Sequence, residues 1–186
     1  MHRFLIITGV FLAFASCKAP EARKPVSQSS GSYINASIER NKKLNKADEK
    51  AIKKIIGQDS KREYIPSENG FWYAYEVQDS LDERTPKLGD VVTFDYNIAS
   101  ITGKEVVPKE ELGTQTYQID QSNQELISGL RDGLKLMKEG ETVTFLFPSH
   151  KAFGYYGYED KVGMNRPIKS TVTLHEIKTT NNKDQK

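Results

Sequence analysis

The side chains of this sequence that are best suited to form a site are aromatic. Six of them fall near one end of a single predicted helix: Tyr96, Tyr117, Phe153, Tyr155, Tyr156 and Tyr158. Aromatic rings offer large apolar surfaces, and each tyrosine adds a hydroxyl that can form a hydrogen bond. These residues could therefore line an apolar pocket that carries a few polar groups.

The usual patterns of metal, nucleotide and nucleophilic chemistry are absent from the sequence. His150 and His175 are the only histidines beyond the N-terminal leader, and no cluster of Cys, His and Asp has metal-ligand spacing. No glycine-rich phosphate loop follows a predicted strand, and no serine lies in a nucleophile-elbow pattern. If the protein is an enzyme, we expect it to work without a nucleophile, a metal or any other cofactor.

The charge of the chain argues against nucleic acid as a partner. The 27 Lys and Arg residues nearly balance the 25 Asp and Glu residues, which leaves a formal net charge of +2. Nucleic-acid-binding domains carry a basic patch or stripe, and none is evident here. We interpret the lysine-rich stretch from Lys42 to Lys54 as the solvated face of a helix.

One amphipathic helix is predicted within the stretch from Gln115 to Gly140. It follows a short strand at 116–120, Ser122 and Glu125 have the spacing of a capping box, and Gly140 is expected to end it. Its apolar residues share one helical face: Leu126, Ile127, Leu130, Leu134 and Met137.

The remaining strong apolar patterns alternate with the period of strands, chiefly at 71–77, 91–98, 142–147 and 170–177. A single helix packed against a sheet gives an α+β fold. Gly129 and Gly133 interrupt the helix at a cost of roughly 1 kcal/mol each relative to alanine. Two interpretations are open, namely close approach to another backbone or a loosely built helix.

The N-terminus has the charge and hydropathy pattern of an export leader. Arg3 precedes an apolar run at 4–13 that is too short to span a membrane stably. The sequence Phe14-Ala15-Ser16-Cys17 resembles a lipobox, so residues 1–16 are predicted to be a signal peptide and Cys17 to be lipidated. The alternative is an ordinary secretory signal with a chance cysteine.

Lipidation at Cys17 would determine where the protein resides. Cys17 is the only cysteine, so no internal disulfide can form. Several acyl chains anchor a protein firmly, whereas one chain binds a membrane only marginally. Lys18 stands where an Asp would retain a lipoprotein in the inner membrane, so we expect attachment to the outer membrane of the cell envelope, facing the periplasm.

The mature chain is predicted to have four parts. Residues 17–43 are expected to be a disordered tether, because they contain few apolar side chains. A short helix is predicted at 44–59, with Asn45 and Gly57 at its ends, followed by a domain at 60–178 and a polar tail at 179–186. The helix could pack on the domain or pair with another chain. Its apolar face comprises Leu44, Ala51, Ile52, Ile55 and Ile56.

Six short motifs occur in a characteristic order from about residue 60 to 178. They are Pro86-Lys87-Leu88-Gly89-Asp90, Val92-Thr93-Phe94-Asp95-Tyr96, Glu125-Leu126-Ile127-Ser128-Gly129-Leu130, Lys138-Glu139-Gly140-Glu141, Ala152-Phe153-Gly154 and Arg166-Pro167-Ile168-Lys169-Ser170-Thr171. Together they resemble the FKBP-type peptidyl-prolyl cis–trans isomerases. The resemblance implies a curved antiparallel sheet wrapped on one central helix, no cofactor, and proline-containing polypeptides as substrates.

The order of lipobox, tether and short helix ahead of the domain is similar to that of the gliding-motility-associated FKBP lipoproteins. This narrower resemblance implies assistance in the folding of exported or envelope proteins, with proteins of the motility or secretion machinery as partners.

The resemblance also assigns a pocket. It implies catalytic roles for Tyr96 as the pocket tyrosine, for the Ile127 N–H as donor to a substrate carbonyl, and for Phe153, which stands where the family has a hydrogen-bonding tyrosine. It implies substrate contacts for Val106, Val107, Tyr117, Leu126, Leu130, Tyr155 and Leu174.

Three positions depart from the family pattern. Val106-Val107 replaces a Phe-Asp pair, Leu130 replaces the tryptophan of the pocket floor, and Phe153 lacks a hydroxyl. We therefore expect weak isomerase activity. The alternatives are a non-catalytic chaperone or assembly subunit that uses the same groove, and a purely structural lipoprotein.

Overall fold

The computed structural model describes residues 30–78, 83–121 and 126–179. The chain divides into two compact units, residues 1–36 and 37–186. The described part of the first unit is the start of a helix. All contacts given below lie within the second unit.

The second unit is built on an eight-stranded sheet whose paired strands are all antiparallel. The strands lie in the order β1-β2-β7-β8-β3-β6, and the β4–β5 hairpin joins the sheet through β8. Their bounds are β1 Ile65–Pro66, β2 Trp72–Val77, β3 Val91–Tyr96, β4 Ile98–Ser100, β5 Glu105–Val107, β6 Gln115–Gln118, β7 Thr142–Phe147 and β8 Ile168–Lys178. The predicted antiparallel sheet is confirmed, with its strongest alternating segments in β2, β3, β7 and β8.

Three α-helices occur in the described residues: α1 Ser30–Gln58, α2 Lys109–Leu112 and α3 Ser128–Leu134. A 3-10 turn follows β7 at Ser149–Lys151. Helix α3 covers the sheet with Leu130 and Leu134, which are buried in one apolar core with the side chains of β3, β7 and β8. The α+β fold with one central helix on the sheet is therefore observed.

The two glycines of α3 allow close approach to β7. A Cβ at Gly129 would lie 2.5 Å from the Phe147 ring and 2.9 Å from the Lys151 carbonyl oxygen. A Cβ at Gly133 would lie 2.9 Å from the Phe145 ring. Close approach to another backbone is therefore observed at Gly129, whereas Gly133 makes room for an aromatic ring only.

The predicted bounds of the central helix are wrong at both ends. Helix α3 begins at Ser128, with Ile127 at its N-cap position, so Leu126 and Ile127 precede the helix rather than start it. Ser122 and Glu125 lie outside the described residues. The helix ends at Leu134, since Leu136 and Met137 form tighter turn hydrogen bonds, and Gly140 lies in a later turn at φ 83°. The apolar spacing misled because Met137 remains buried beyond the end of the helix.

Helix α1 is longer than predicted. It begins at Ser30, so the expected disordered tether is wrong for residues 30–43, whereas the rest of the tether, Cys17 and the leader lie outside the described residues. Low hydrophobicity does not distinguish a tether from a solvated helix, and Lys42 reaches back to Glu39 at 3.0 Å across one turn. Gly57 lies within the helix rather than at its end. Among the described residues, none of the helices combines the length and hydropathy needed to cross a bilayer.

The inner face of α1 packs on the domain within the second unit. Ile52 is completely buried, and Asp48 hydrogen-bonds to Ser149 after β7. The sequence left open whether this helix packs on the domain or pairs with another chain, and the structure shows packing on the domain.

Candidate functional site

An apolar pocket of about 340 Å³ lies where the segment before α3 meets the loop after β7. Its lining comprises Tyr96, Leu126, Ile127, Leu130, Ala152, Phe153 and Tyr158. Three parts of the chain supply these side chains: the end of β3, the segment 126–130 that leads into α3, and the 152–158 loop.

Backbone geometry positions the residues on the strand and helix side of the pocket. Tyr96 is the last residue of β3 and pairs with Val172 of β8, which fixes the side of the sheet on which its ring lies. Its ring centroid lies 5.8 Å from that of Phe94. Ile127 has extended backbone angles, φ −57° and ψ 146°, directly before the helix begins. Leu130 follows on the first turn and is buried.

The loop side of the pocket is held by hydrogen bonds from the 3-10 turn. The Ser149 carbonyl accepts hydrogen bonds from the N–H groups of Ala152 at 3.1 Å and Gly154 at 2.9 Å. Gly154 has a φ of 56°, a conformation that glycine adopts without steric cost. Lys151 forms an ion pair with Asp132 of α3 at 2.9 Å. The backbone on both sides of Phe153 is therefore fixed.

Phe153 and Tyr158 form an aromatic wall. Their ring centroids are 4.9 Å apart, with the ring planes tilted by 35°. Tyr158 is held by backbone hydrogen bonds with Val162 at 2.9 and 3.0 Å, which close a small hairpin.

Two hydrogen-bond donors at the pocket have no partner among the residues that the structure describes. Burial, with a smaller contribution from Tyr158, raises the pKa of Tyr96, so its hydroxyl stays protonated at neutral pH. Within the described ranges, no protein group hydrogen-bonds to that hydroxyl or accepts a bond from the Ile127 N–H. The pocket thus combines apolar walls with donors that could bind a carbonyl oxygen.

The structure brings together five of the residues assigned from the sequence and leaves five outside the pocket. Those within its lining are Tyr96, Leu126, Ile127, Leu130 and Phe153. Val107, Tyr117 and Leu174 are 0, 5 and 0% exposed and belong to the core, so their assignment as substrate contacts is corrected to a packing role. The cause is strand register: Val107 faces Ile98, Tyr117 faces Val92 and Leu174 faces Phe94.

Val106 and Tyr155 also lie away from the lining. Val106 borders a separate cavity of about 560 Å³ beside α1, and Tyr155 is 69% exposed. Conversely, the pocket includes Ala152 and Tyr158, to which the family resemblance assigned no role. Tyr158 was visible only as one of several aromatic residues, because its position depends on the fold of the 154–166 loop.

No group of three or more His, Cys, Asp or Glu side chains is arranged to hold a metal ion in the parts of the chain that the structure describes.

An antiparallel sheet packed on one short helix, with an apolar pocket at the helix start, is the arrangement of an FKBP-like fold. Residues 82–175, about half of the chain, match the family model of FKBP-type peptidyl-prolyl cis–trans isomerases. The chain belongs to this family. The resemblance found in its sequence motifs is thereby confirmed.

Known proteins similar to the chain agree with this assignment. A probable FKBP-type peptidyl-prolyl cis–trans isomerase, FkpA of Neisseria meningitidis serogroup B, is 31% identical over 104 residues. That match covers 55% of this chain but 37% of the relative, so it spans little more than a third of the relative's length.

Two crystal structures have a similar fold. FkpA from Escherichia coli has a TM-score of 0.57 at 22% identity, covering 95% of this chain and 82% of that protein. A peptidyl-prolyl cis–trans isomerase from Pseudomonas syringae pv. tomato has a TM-score of 0.56 at 20% identity. This match covers 72% of this chain and 96% of that protein.

Proposed function

We propose that this protein catalyses the cis–trans isomerisation of Xaa-Pro bonds in polypeptides. The observation that carries the proposal is the pocket lined by Tyr96, Ile127 and Phe153 in a chain of the FKBP-type family. Its volume of about 340 Å³ lies within the range of roughly 300–1,000 Å³ typical of small-molecule sites.

The chemistry of the pocket suits this reaction. Rotation about a peptide bond crosses a barrier of roughly 18–20 kcal/mol, and it requires loss of amide resonance rather than cleavage of a bond. The twisted amide is less polar than the planar one, so apolar walls favour it. Only groups that bind the twisted form better than the planar form accelerate the step.

The residues of the pocket can supply that difference. The Ile127 N–H would bind the carbonyl of the substrate, and the Tyr96 hydroxyl would donate a second hydrogen bond as the amide rotates. Phe153 and Tyr158 would hold the prolyl ring from the loop side, while Leu130 forms the floor.

Isomerisation of a prolyl peptide by the purified protein tests this proposal. We expect catalysis that Tyr96→Ala and Ile127→Asp both remove, because the first removes a donor and the second places a charge in the apolar pocket. Leu88→Asp is the matched control, since Leu88 is exposed in the turn before β3. Absence of catalysis by the folded wild type, or full activity of both pocket variants, would overturn the proposal.

We further propose that the protein acts from a lipid anchor at Cys17 on the periplasmic side of the outer membrane. The lipobox-like sequence supports the anchor, and Lys18 in place of an Asp after the cysteine supports the outer membrane. Exported or envelope proteins would be its substrates, with components of motility or secretion machinery among them. Mass spectrometry of the protein from membranes should show an acylated Cys17, and Cys17→Ser should move the protein to the soluble fraction. An unmodified Cys17 would rule the anchor out.

A second candidate function is the binding of unfolded chains without catalysis. It is favoured by two exposed tyrosines beside the pocket loop, Tyr155 and Tyr156, which are 69 and 91% exposed. Exposed aromatic surface is suited to binding apolar segments. If this role dominates, replacing both tyrosines with serine will abolish the suppression of aggregation of an unfolded protein, whereas Ile127→Asp will leave it intact.

A further inference from the structure

The inner face of α1 contains an unusual buried carboxylate. Asp48 lies one turn after Leu44 and one turn before Ile52, so it shares their face, and it is only 6% exposed. Aspartate is rarely buried among apolar residues unless its charge is satisfied, because desolvation of an ion is costly. The position of Asp48 therefore requires a specific partner.

That partner is Ser149, the first residue of the 3-10 turn after β7. One carboxylate oxygen, Oδ2, accepts hydrogen bonds from the Ser149 N–H at 2.9 Å and from its hydroxyl at 2.5 Å. The residue at the N-cap of this turn is Pro148, whose side chain makes no capping hydrogen bond. Asp48 thus supplies the missing cap from another element, 101 residues away along the chain.

The capped turn leads directly to the pocket. The Ser149 carbonyl accepts the N–H groups of Ala152 and Gly154, which flank Phe153. The Gly154 carbonyl in turn accepts the Asn165 N–H at 2.7 Å, on the far side of the loop. A continuous chain of hydrogen bonds therefore links α1 to the wall of the pocket.

We propose that Asp48 is a positioning residue for the isomerase pocket. By fixing Ser149, it sets the backbone that places Phe153 and Ala152 in the lining. Helix α1 lies outside the family-matched residues 82–175, yet in this chain it becomes part of the functional unit. This inference rests on the proposed isomerase function.

The experiment compares the full-length protein with Asp48→Ala, Asp48→Asn and Ile52→Ala. Ile52 is the control, because it is fully buried on the same face but forms no hydrogen bond to the loop. The readouts are kcat/KM for a prolyl peptide, the melting temperature, and amide hydrogen exchange at Ala152 and Gly154.

We expect Asp48→Ala to lower kcat/KM by about tenfold at temperatures where it is folded, since small misplacements in a site have large effects on rate. Asp48→Asn should lose less, because its amide oxygen can accept the same two hydrogen bonds from Ser149, although without a charge they are weaker. Ile52→Ala should lower the melting temperature while leaving kcat/KM within about twofold of wild type, as expected for a change outside the site. If Asp48→Ala does not fold, Asp48→Asn is judged alone, and the expected result is a kcat/KM lower than that of Ile52→Ala.

Two results would overturn the inference. One is wild-type kcat/KM in the folded Asp48 variants. The other is loss of activity in Ile52→Ala that matches the loss in Asp48→Ala at equal loss of melting temperature. If the wild type itself has no isomerase activity, the proposed function fails separately. Hydrogen exchange then decides: faster exchange at Gly154 in Asp48→Asn than in Ile52→Ala supports positioning, and equal exchange excludes it.

Discussion

Helices α1 and α3 both hold the loop after β7, but they do so with different chemistry. Helix α3 approaches through glycines that leave room for aromatic rings, and it adds the Asp132–Lys151 ion pair. Helix α1 approaches through one buried carboxylate that hydrogen-bonds Ser149. Helix α3 therefore packs closely on β7 and holds the loop by an ion pair, whereas α1 holds the loop by two hydrogen bonds to one buried carboxylate.

The apolar packing of α3 on the sheet should give the largest effect on stability. Leu134→Ala in α3 removes a side chain with no exposed surface, so we expect it to lower the free energy of unfolding by about 2–5 kcal/mol. Leu88→Ala is the control of the same residue type, exposed in a turn, and should change little. Chemical denaturation measures both. Similar small losses in the two variants would show that α3 does not carry the core.

The glycines of α3 should reverse the usual effect of a Gly-to-Ala change in a helix. Gly129→Ala should destabilise the protein by about 1–3 kcal/mol, because its methyl group would clash with Phe147 and the Lys151 carbonyl. Gly57→Ala in α1 has open space around it and should instead stabilise by up to about 1 kcal/mol. Thermal unfolding of the two variants compares the signs. Stabilisation by both would contradict the close packing of α3.

A polar contact beyond the end of α1 should respond to acid, unlike the packing of α3. Burial alone would raise the pKa of Asp59 and of Glu76. Hydrogen bonds from Arg62 outweigh it, so both pKa values are lowered. Lowered carboxyl pKa values contribute stability above the ordinary values of 3.8 and 4.5, and that stability is lost as the pH falls through the folded-state values.

Arg62→Gln should therefore lower the melting temperature most at neutral pH, and its difference from wild type should shrink below about pH 4. Lys53→Gln, which breaks an exposed ion pair with Glu49, is the control and should have little effect at any pH. If the melting temperatures of the wild type and Arg62→Gln differ by the same amount at every pH, these ion pairs do not contribute to stability.

The smallest stability effect should come from the exposed loop outside both helix contacts. Tyr156→Ala should change the free energy of unfolding by less than about 0.5 kcal/mol, because the ring is 91% exposed. Denaturant titration provides the value. A larger loss would indicate that the loop packs in solution more tightly than its exposure suggests.

The sheet and its core could largely be predicted from the sequence. Alternation of Val92 and Phe94 in β3, and of Val143 and Phe145 in β7, placed these residues on the buried face, since strand side chains alternate strictly. The helix ends were less predictable. Met137 keeps helical spacing after α3 has ended, and α1 continues into a polar segment that composition alone does not identify as helical.

The pocket could be predicted only in part. Tyr96, Ile127 and Phe153 belong to three of the family motifs, and the structure brings them together in one pocket. Val107 and Leu174, which were assigned through the family resemblance but lie outside the six motifs, are core residues because strand register decides which side chains reach the surface. The Asp48–Ser149 contact joins two polar residues 101 positions apart, and no local pattern in the sequence indicates such a pair.

The most direct test of the account is nuclear magnetic resonance exchange spectroscopy of a prolyl peptide with the isotope-labelled protein. This experiment measures the cis–trans exchange rate of the peptide and maps its binding site in one sample. If the pocket is catalytic, exchange will be faster than in the free peptide, with chemical shift changes concentrated at Ile127, Ala152, Phe153 and Tyr158. Exchange at the uncatalysed rate, or catalysis with shift changes away from these residues, would contradict it.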